Sequence, residues 1–253
     1  MTVEHPLRSA FRHGDNEAVE RAATVQVSQS RQSGDSEGEV EGLYALARIA
    51  LRDQNLDSAA DVARQALAVA RRSGDSRLEE RPLHVLAAVA RLSGDHGRAR
   101  DLYQASIELN RSLGREINVH TESHNLALTE LHLGNVERAR QLTAESTERV
   151  RRGGYDDFVP YLGIAAAELA LADDNPLQAT RLIGFTDQEF ARLGQVPDPD
   201  DASELDVMRG RVAAALGTSA VQAELATGAG WSAADAFGGT WVSQSNDYAK
   251  KHD

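Results

Sequence analysis

Arginine and histidine side chains recur in one register of this chain. Arg48, Arg81, His84, Arg91 and His124 belong to it, with Tyr44 among them and Asn125 beside them. A guanidinium offers a planar fork of donors matched to a carboxylate or phosphate. Grouped on one surface, these seven side chains form the candidate binding site. The chemistry they predict is capture of an anionic group, such as a peptide's C-terminal carboxylate or a small anionic ligand.

Other constellations are weaker. His120 and His124 stand one helical turn apart, with Glu116 a turn earlier, and an i, i+4 histidine pair can hold zinc. Thr121 rather than Glu follows His120, and no third ligand is evident, so no metal site is expected. Ser123 and His124 are neighbours on one helix and point in different directions. The acid pairs Glu79-Glu80 and Asp156-Asp157 fall at helix starts, where the helix dipole favours carboxylates. No catalytic residue and no cofactor is expected. An enzyme on this scaffold would have to draw on Tyr44, His84, His124 and Glu168.

Charge and composition exclude several partners. With 39 acidic against 27 basic residues the net charge is −12, a field that repels a phosphate backbone, so no nucleic acid is expected as partner. Cysteine is absent, which rules out disulfides and thiolate chemistry. The most apolar run, residues 161–172, is interrupted by Glu168 and is too short to span a bilayer. No membrane partner is expected, and the start lacks the apolar core of a signal peptide, so the expectation is a cytoplasmic protein. Few aromatics, at 5%, and abundant Ala, Leu, Arg and Glu favour helix.

The elements that position the candidate side chains are legible as a forty-residue repeat. Glycine recurs at 34, 74, 114, 154 and 194, and Asp or Asn at 15, 55, 95, 135 and 175. Two columns of small residues accompany them, at Ala47, Ala87, Ala127 and Ala167 and at Ala59, Ala99, Ala139 and Ala179. Gly ends a helix in the left-handed conformation at no Cβ cost, and Asp or Asn caps the next helix. Asn175-Pro176 adds the favoured first-turn proline. Each repeat therefore reads as a helix such as 39–52, a turn at 53–55, and a second helix such as 56–72. Apolar residues at i, i+3, i+4 and i+7 mark one buried face on each.

This pattern resembles the tetratricopeptide repeat family, whose small residue late in the first helix precedes an alanine twelve positions on. Ala47 and Ala59, Ala87 and Ala99, Ala127 and Ala139, and Ala167 and Ala179 keep that spacing, with Leu46, Leu86 and Leu126 before the first three. The period is forty rather than thirty-four, and the family's aromatic early in the first helix is replaced by Leu43, Leu83, Ser123 and Gly163. The resemblance implies an all-α, right-handed superhelix of stacked helix-turn-helix repeats, an α-solenoid. About five repeats are expected over 1–194 (roughly 1–34, 35–74, 75–114, 115–154 and 155–194). A C-terminal helical cap at 195–237 and a disordered tail at 238–253 complete the expected domains. In the cap, Ser203 is the expected N-cap of a helix over 204–216.

Leu182-Gly184, Leu193-Gly194, Leu216-Gly217, Gly230-Trp231-Ser232 and Asp235 follow one another in an order similar to the end of the repeat region in bacterial ATPase-type transcriptional regulators. No phosphate-binding loop is present. The resemblance therefore implies the docking or sensing module of such proteins rather than the ATPase. In a superhelix of this kind the first helices line a concave groove, and the candidate residues fall on its face. The expected function is a non-catalytic binding module that captures a peptide or protein segment there. The alternatives are a sensor of a small ligand or signalling peptide and, third, an enzyme. The pattern carries no statement about oligomeric state. The first repeat is incomplete, with Pro6 where Leu46 sits, either as a degenerate cap or because Met1 marks a cut from something longer.

Overall fold

The computed structural model describes residues 6–238. Among these, helices alternate with short turns and no strand occurs. Ten helices form five successive pairs. They are α1 (Pro6–Arg12) with α2 (Asn16–Ser33), α3 (Ser36–Arg52) with α4 (Leu56–Ser73), and α5 (Glu80–Leu92) with α6 (His96–Ser112). α7 (Glu116–His132) with α8 (Val136–Gly153) and α9 (Val159–Ala172) with α10 (Pro176–Leu193) follow. Single 3-10 turns at Ser76–Leu78 and Asp156–Phe158 lead into α5 and α9. The pairs stack on one another in chain order, each packing on the next, which makes the molecule an all-α solenoid. Residues 239–253, where the tail was expected, lie outside the described residues.

The repeated columns do the work their chemistry suggests. All eight alanines of the two columns are completely buried, from Ala47 to Ala179. Gly34, Gly74, Gly114, Gly154 and Gly194 have φ between 62° and 74°, the left-handed region that closes a helix without steric cost. Asp15, Asn55, Asp95 and Asn175 each accept a hydrogen bond from the backbone N–H three residues on. Asn135 departs from its column, because its side-chain amide donates to Glu130 Oε2 at 2.7 Å instead. The order Gly34-Asp35-Ser36-Glu37-Gly38 is a helix-to-helix turn in which Asp35 caps α3 by accepting from Gly38 N. That turn differs from the strand-to-helix elbow that presents a catalytic serine.

Three further helices follow: α11 (Pro199–Leu216), α12 (Thr218–Ala229) and α13 (Ala233–Phe237). α11 begins four residues before Ser203, the expected cap, with Asp198 at its N-cap and Pro199 in its first turn. Proline's fixed φ suits that position, and its missing N–H is one the helix leaves unpaired anyway. Leu205, Met208 and Val212 of α11 are buried in the core of α9 and α10. α12 crosses α10 so closely that a Cβ on Gly184 would lie 2.1 Å from the carbonyl oxygen of Leu225. The Leu182-Gly184 spacing is thus a packing requirement: only glycine admits that backbone. Arg181 and Glu224 add an ion pair across the same crossing at 2.5 Å.

Gly184→Ala is expected to lower stability by about 1–3 kcal/mol, the usual range for overpacking. Gly210→Ala is its control, since Gly210 lies in α11 and a Cβ there meets nothing within 4 Å. It should stabilise by roughly 0.5–1 kcal/mol through lost backbone freedom in the unfolded chain. Urea midpoints of the two variants check both signs.

Candidate functional site

First helices of successive pairs bring the candidate residues to the concave side. α3 supplies Glu41, Tyr44 and Arg48, α5 supplies Arg81, His84 and Arg91, and α7 supplies Glu122, His124 and Asn125. Six of the seven candidates line a single cavity of about 970 Å³: Tyr44, Arg48, Arg81, His84, His124 and Asn125. The seventh, Arg91, lies outside that lining, its side chain only 1% exposed. Equivalent positions of neighbouring repeats touch directly. Arg81 pairs with Glu41, forty residues earlier, at 2.6 Å, and the rings of Tyr44 and His84 stand 6.4 Å apart.

Each arginine of the set is already engaged by a carboxylate of the chain itself. The segment from Val196 into α11 runs across the groove, and its acids meet the basic column. Asp198 pairs with Arg48 and Asp200 with Arg91. Glu204 Oε1 accepts from Arg91 at 3.0 Å and lies 2.8 Å from His132 Nε2, while Asp201 Oδ1 is 3.0 Å from His124 Nε2. The backbone N–H of Val196 donates to the Arg12 carbonyl at 2.9 Å, and Arg12 pairs with Asp157 at 2.9 Å. These two contacts join the first helix pair to the last, so the groove is bridged and its free part becomes a bounded cavity. The ring of Phe11 is covered by two guanidiniums, those of Arg48 and Arg52, each 3.7 Å from its centroid.

Electrostatics follow burial and partner. Burial alone would lower the pKa of His84, but the Glu122 carboxylate 3.0 Å away overrides it and raises the value to about 9. Burial lowers His120 to about 4, in a slot where its ring lies 4.8 Å from Tyr155 and 4.7 Å from Phe158. This is where the zinc-spaced pair ends up: His120 between rings, His124 against Asp201. Burial disfavours the charge of Asp200, yet Arg91 holds it below the usual carboxylate range. Asp201, buried beside that charge, is raised. His132 is raised chiefly by its hydrogen bond to Glu204, and its ring stacks on His96 at 4.5 Å.

Several participants carry no signal in the forty-residue register. Asp198, Asp200, Asp201 and Glu204 lie beyond the last repeat, and Asp157 and Phe158 sit in a 3-10 turn. A usable clue exists in the acid-dense Asp198-Pro199-Asp200-Asp201 order, which complements a column of arginines that has no acidic column beside it.

Two predictions follow from this network. Arg91→Ala leaves Asp200 buried without its cation and Glu204 with His132 alone, and should cost about 3–5 kcal/mol in a urea titration. For His84 the folded pKa lies above the unfolded value of about 6.5. Its contribution is therefore fully present below pH 6.5 and is lost as pH rises through 9. Wild type should lose stability across that window, and His84→Gln should flatten the slope.

Residues 26–112 match the model of the tetratricopeptide repeat, which supports that family over the second and third helix pairs. Among solved structures, the crystal structure of BtubC (BKLC) from P. vanneervenii is similar, with a TM-score of 0.57 and 21% identity. The match covers 84% of this chain and 89% of that one. At that identity the likeness is one of fold. No curated protein matches the chain.

Proposed function

We propose that the chain is a non-catalytic binding module that takes up a peptide or protein segment in the cavity on its concave side. In this reading residues 1–194 form five repeats and 195–237 form a cap that closes the groove. The regulator-like order of the C-terminal motifs supports a role for such a module in bacterial regulation or complex assembly. Tetratricopeptide repeats generally mediate protein–protein interaction, which supports the coarse reading. One observation carries the finer one: six side chains from three consecutive repeats line a single cavity of about 970 Å³, within the range that buries a ligand or a short peptide segment.

The protonation of His84 also favours binding over catalysis. A histidine raised to about 9 by its own carboxylate is a cation near neutral pH and offers no basic nitrogen for proton abstraction. A peptide's C-terminal carboxylate, the anion suggested by the arginine column, reaches Arg48 only by displacing Asp198.

A second reading, a small-ligand or signalling-peptide sensor, draws support from the bridges at Arg12–Asp157 and Val196–Arg12, which make the space finite. Panning a random peptide library, alongside native mass spectrometry of the purified chain, separates the two. Thr121→Trp, which places a bulky ring on the cavity wall, is expected to abolish capture of the selected peptides with an unchanged far-UV spectrum. Selected peptides that bind this variant as well as wild type would remove the cavity from the proposal.

A further inference from the structure

The arginines suggest an anionic ligand, but the cavity they line is an acidic one. Nine carboxylate side chains and five guanidiniums face it. Even with His84 and His124 both counted as cations, the carboxylates outnumber the cations. The five arginines are also engaged: Arg48 with Asp198, Arg81 with Glu41, Arg12 with Asp157, Arg77 with Asp75, while Arg115 donates to the Arg77 carbonyl. A concave, low-dielectric wall focuses such an excess and attracts counter-charge.

Two buried acceptors on the same wall lack partners. The side chain of Glu122 is 1% exposed, with one oxygen 3.0 Å from His84 Nδ1, and its Oε2 has no hydrogen-bond partner. His124 is 2% exposed, its Nε2 facing Asp201 Oδ1 at 3.0 Å. In the tautomer that donates from Nε2, Nδ1 is the ring's acceptor, and it is likewise buried without a partner. A buried acceptor without a donor is costly, and a ligand N–H relieves it.

Aromatic faces complete the wall. Tyr44, Tyr155, Phe158 and Tyr161 all line the cavity in a chain with only five tyrosines and five phenylalanines. The chain itself shows how this wall treats a guanidinium: Arg81 lies 5.1 Å from the Tyr44 centroid while paired with Glu41. Carboxylate on one side and ring face on the other is the setting in which organic cations bind best.

We infer that the cavity is a recognition site for an organic cation, a guanidinium or ammonium group carried by a basic side chain or a free amine, held by Glu122 and His124 and covered by the Tyr155, Phe158 and Tyr161 rings. The inference rests on the binding-module reading and names the chemistry of its ligand.

The test uses the full chain and three fluorescein-labelled, end-blocked hexapeptides that differ only in a central Arg, Leu or Glu, with free agmatine as competitor. Fluorescence anisotropy should show the Arg peptide binding at least tenfold more tightly than the Leu or Glu peptide, and more weakly as salt rises. Competition by agmatine assigns recognition to the cation alone, whereas binding of the peptide without competition assigns it to a peptide-borne cation; both support the inference. Glu122→Gln keeps the size of the side chain and its contact with His84, and should weaken the Arg peptide at least tenfold. Asp157→Asn, at a half-exposed position, gives a second reading and should weaken it several-fold, with the far-UV spectrum and urea midpoint checking that loss of the Arg12 pair leaves the fold intact. Equal or tighter binding of the Glu peptide, indifference to both substitutions, or failure of the Arg peptide to bind would overturn the inference. Library peptides that lack a cation, yet are lost on Thr121→Trp, would leave the binding module standing without it.

Discussion

The guanidinium of Arg91 has almost no contact with solvent, its side chain only 1% exposed. Burying such a charge without partners costs several kcal/mol, so its carboxylates must be supplied by whatever closes over it. Asp200 and Glu204 supply them from the first turns of α11, more than a hundred residues away. That requirement fixes where α11 enters the groove. Once its start is held there, Asp198 reaches Arg48 and Asp201 reaches His124. The apolar half of the same helix, at Leu205, Met208 and Val212, settles into the core of the last pair. The helix is thus anchored by burial at one end and by charge at the other. Its charged end turns an open groove into a bounded cavity.

The repeated geometry explains why columns speak to one another. Stacking successive pairs brings residues forty apart into contact, as Glu41 with Arg81 and Tyr44 with His84. The partner of a groove side chain is therefore decided by what the next copy places in the same column or next to it. His84 meets Glu122 and becomes a cation. His120, turned instead toward Tyr155 and Phe158, is kept neutral by burial. Two histidines on the first helices of successive pairs thus acquire opposite protonation from their neighbours, with no change in the fold that carries them.

This distinction also sets what was legible in the sequence. Helix ends are local: a glycine that accepts positive φ and an Asp or Asn that caps are read from a few residues, and so the turns at 34, 74, 114, 154 and 194 stand where the columns put them. Even Gln54 and Asp174, which stand where other repeats have Gly14, Gly94 and Gly134, adopt positive φ of 57° and 55°. Where two local rules compete, sequence reading is less sure. At α11 the Asp198-Pro199 pair prevails over Ser203, and at α8 Asn135 turns from its capping role to Glu130. The side chains of the groove were readable as a face, because helical periodicity gives direction. Their partners were not, since pairs such as Arg48–Asp198 and Arg12–Asp157 join residues about 150 positions apart, beyond the reach of any periodic pattern.

The sign of the site's charge follows from the same gap. Counting arginines along the columns leads to an anion, because each guanidinium is counted as free. The fold adds the other half of each pair, from Glu41, Asp157 and the start of α11, and the balance within the cavity reverses. In a protein carrying −12 overall, an arginine cluster is a demand for carboxylates before it is an offer to a ligand. The chain meets that demand from its own sequence, and the acceptors left over, Glu122 Oε2 and His124 Nδ1, then define what the cavity can still recognise.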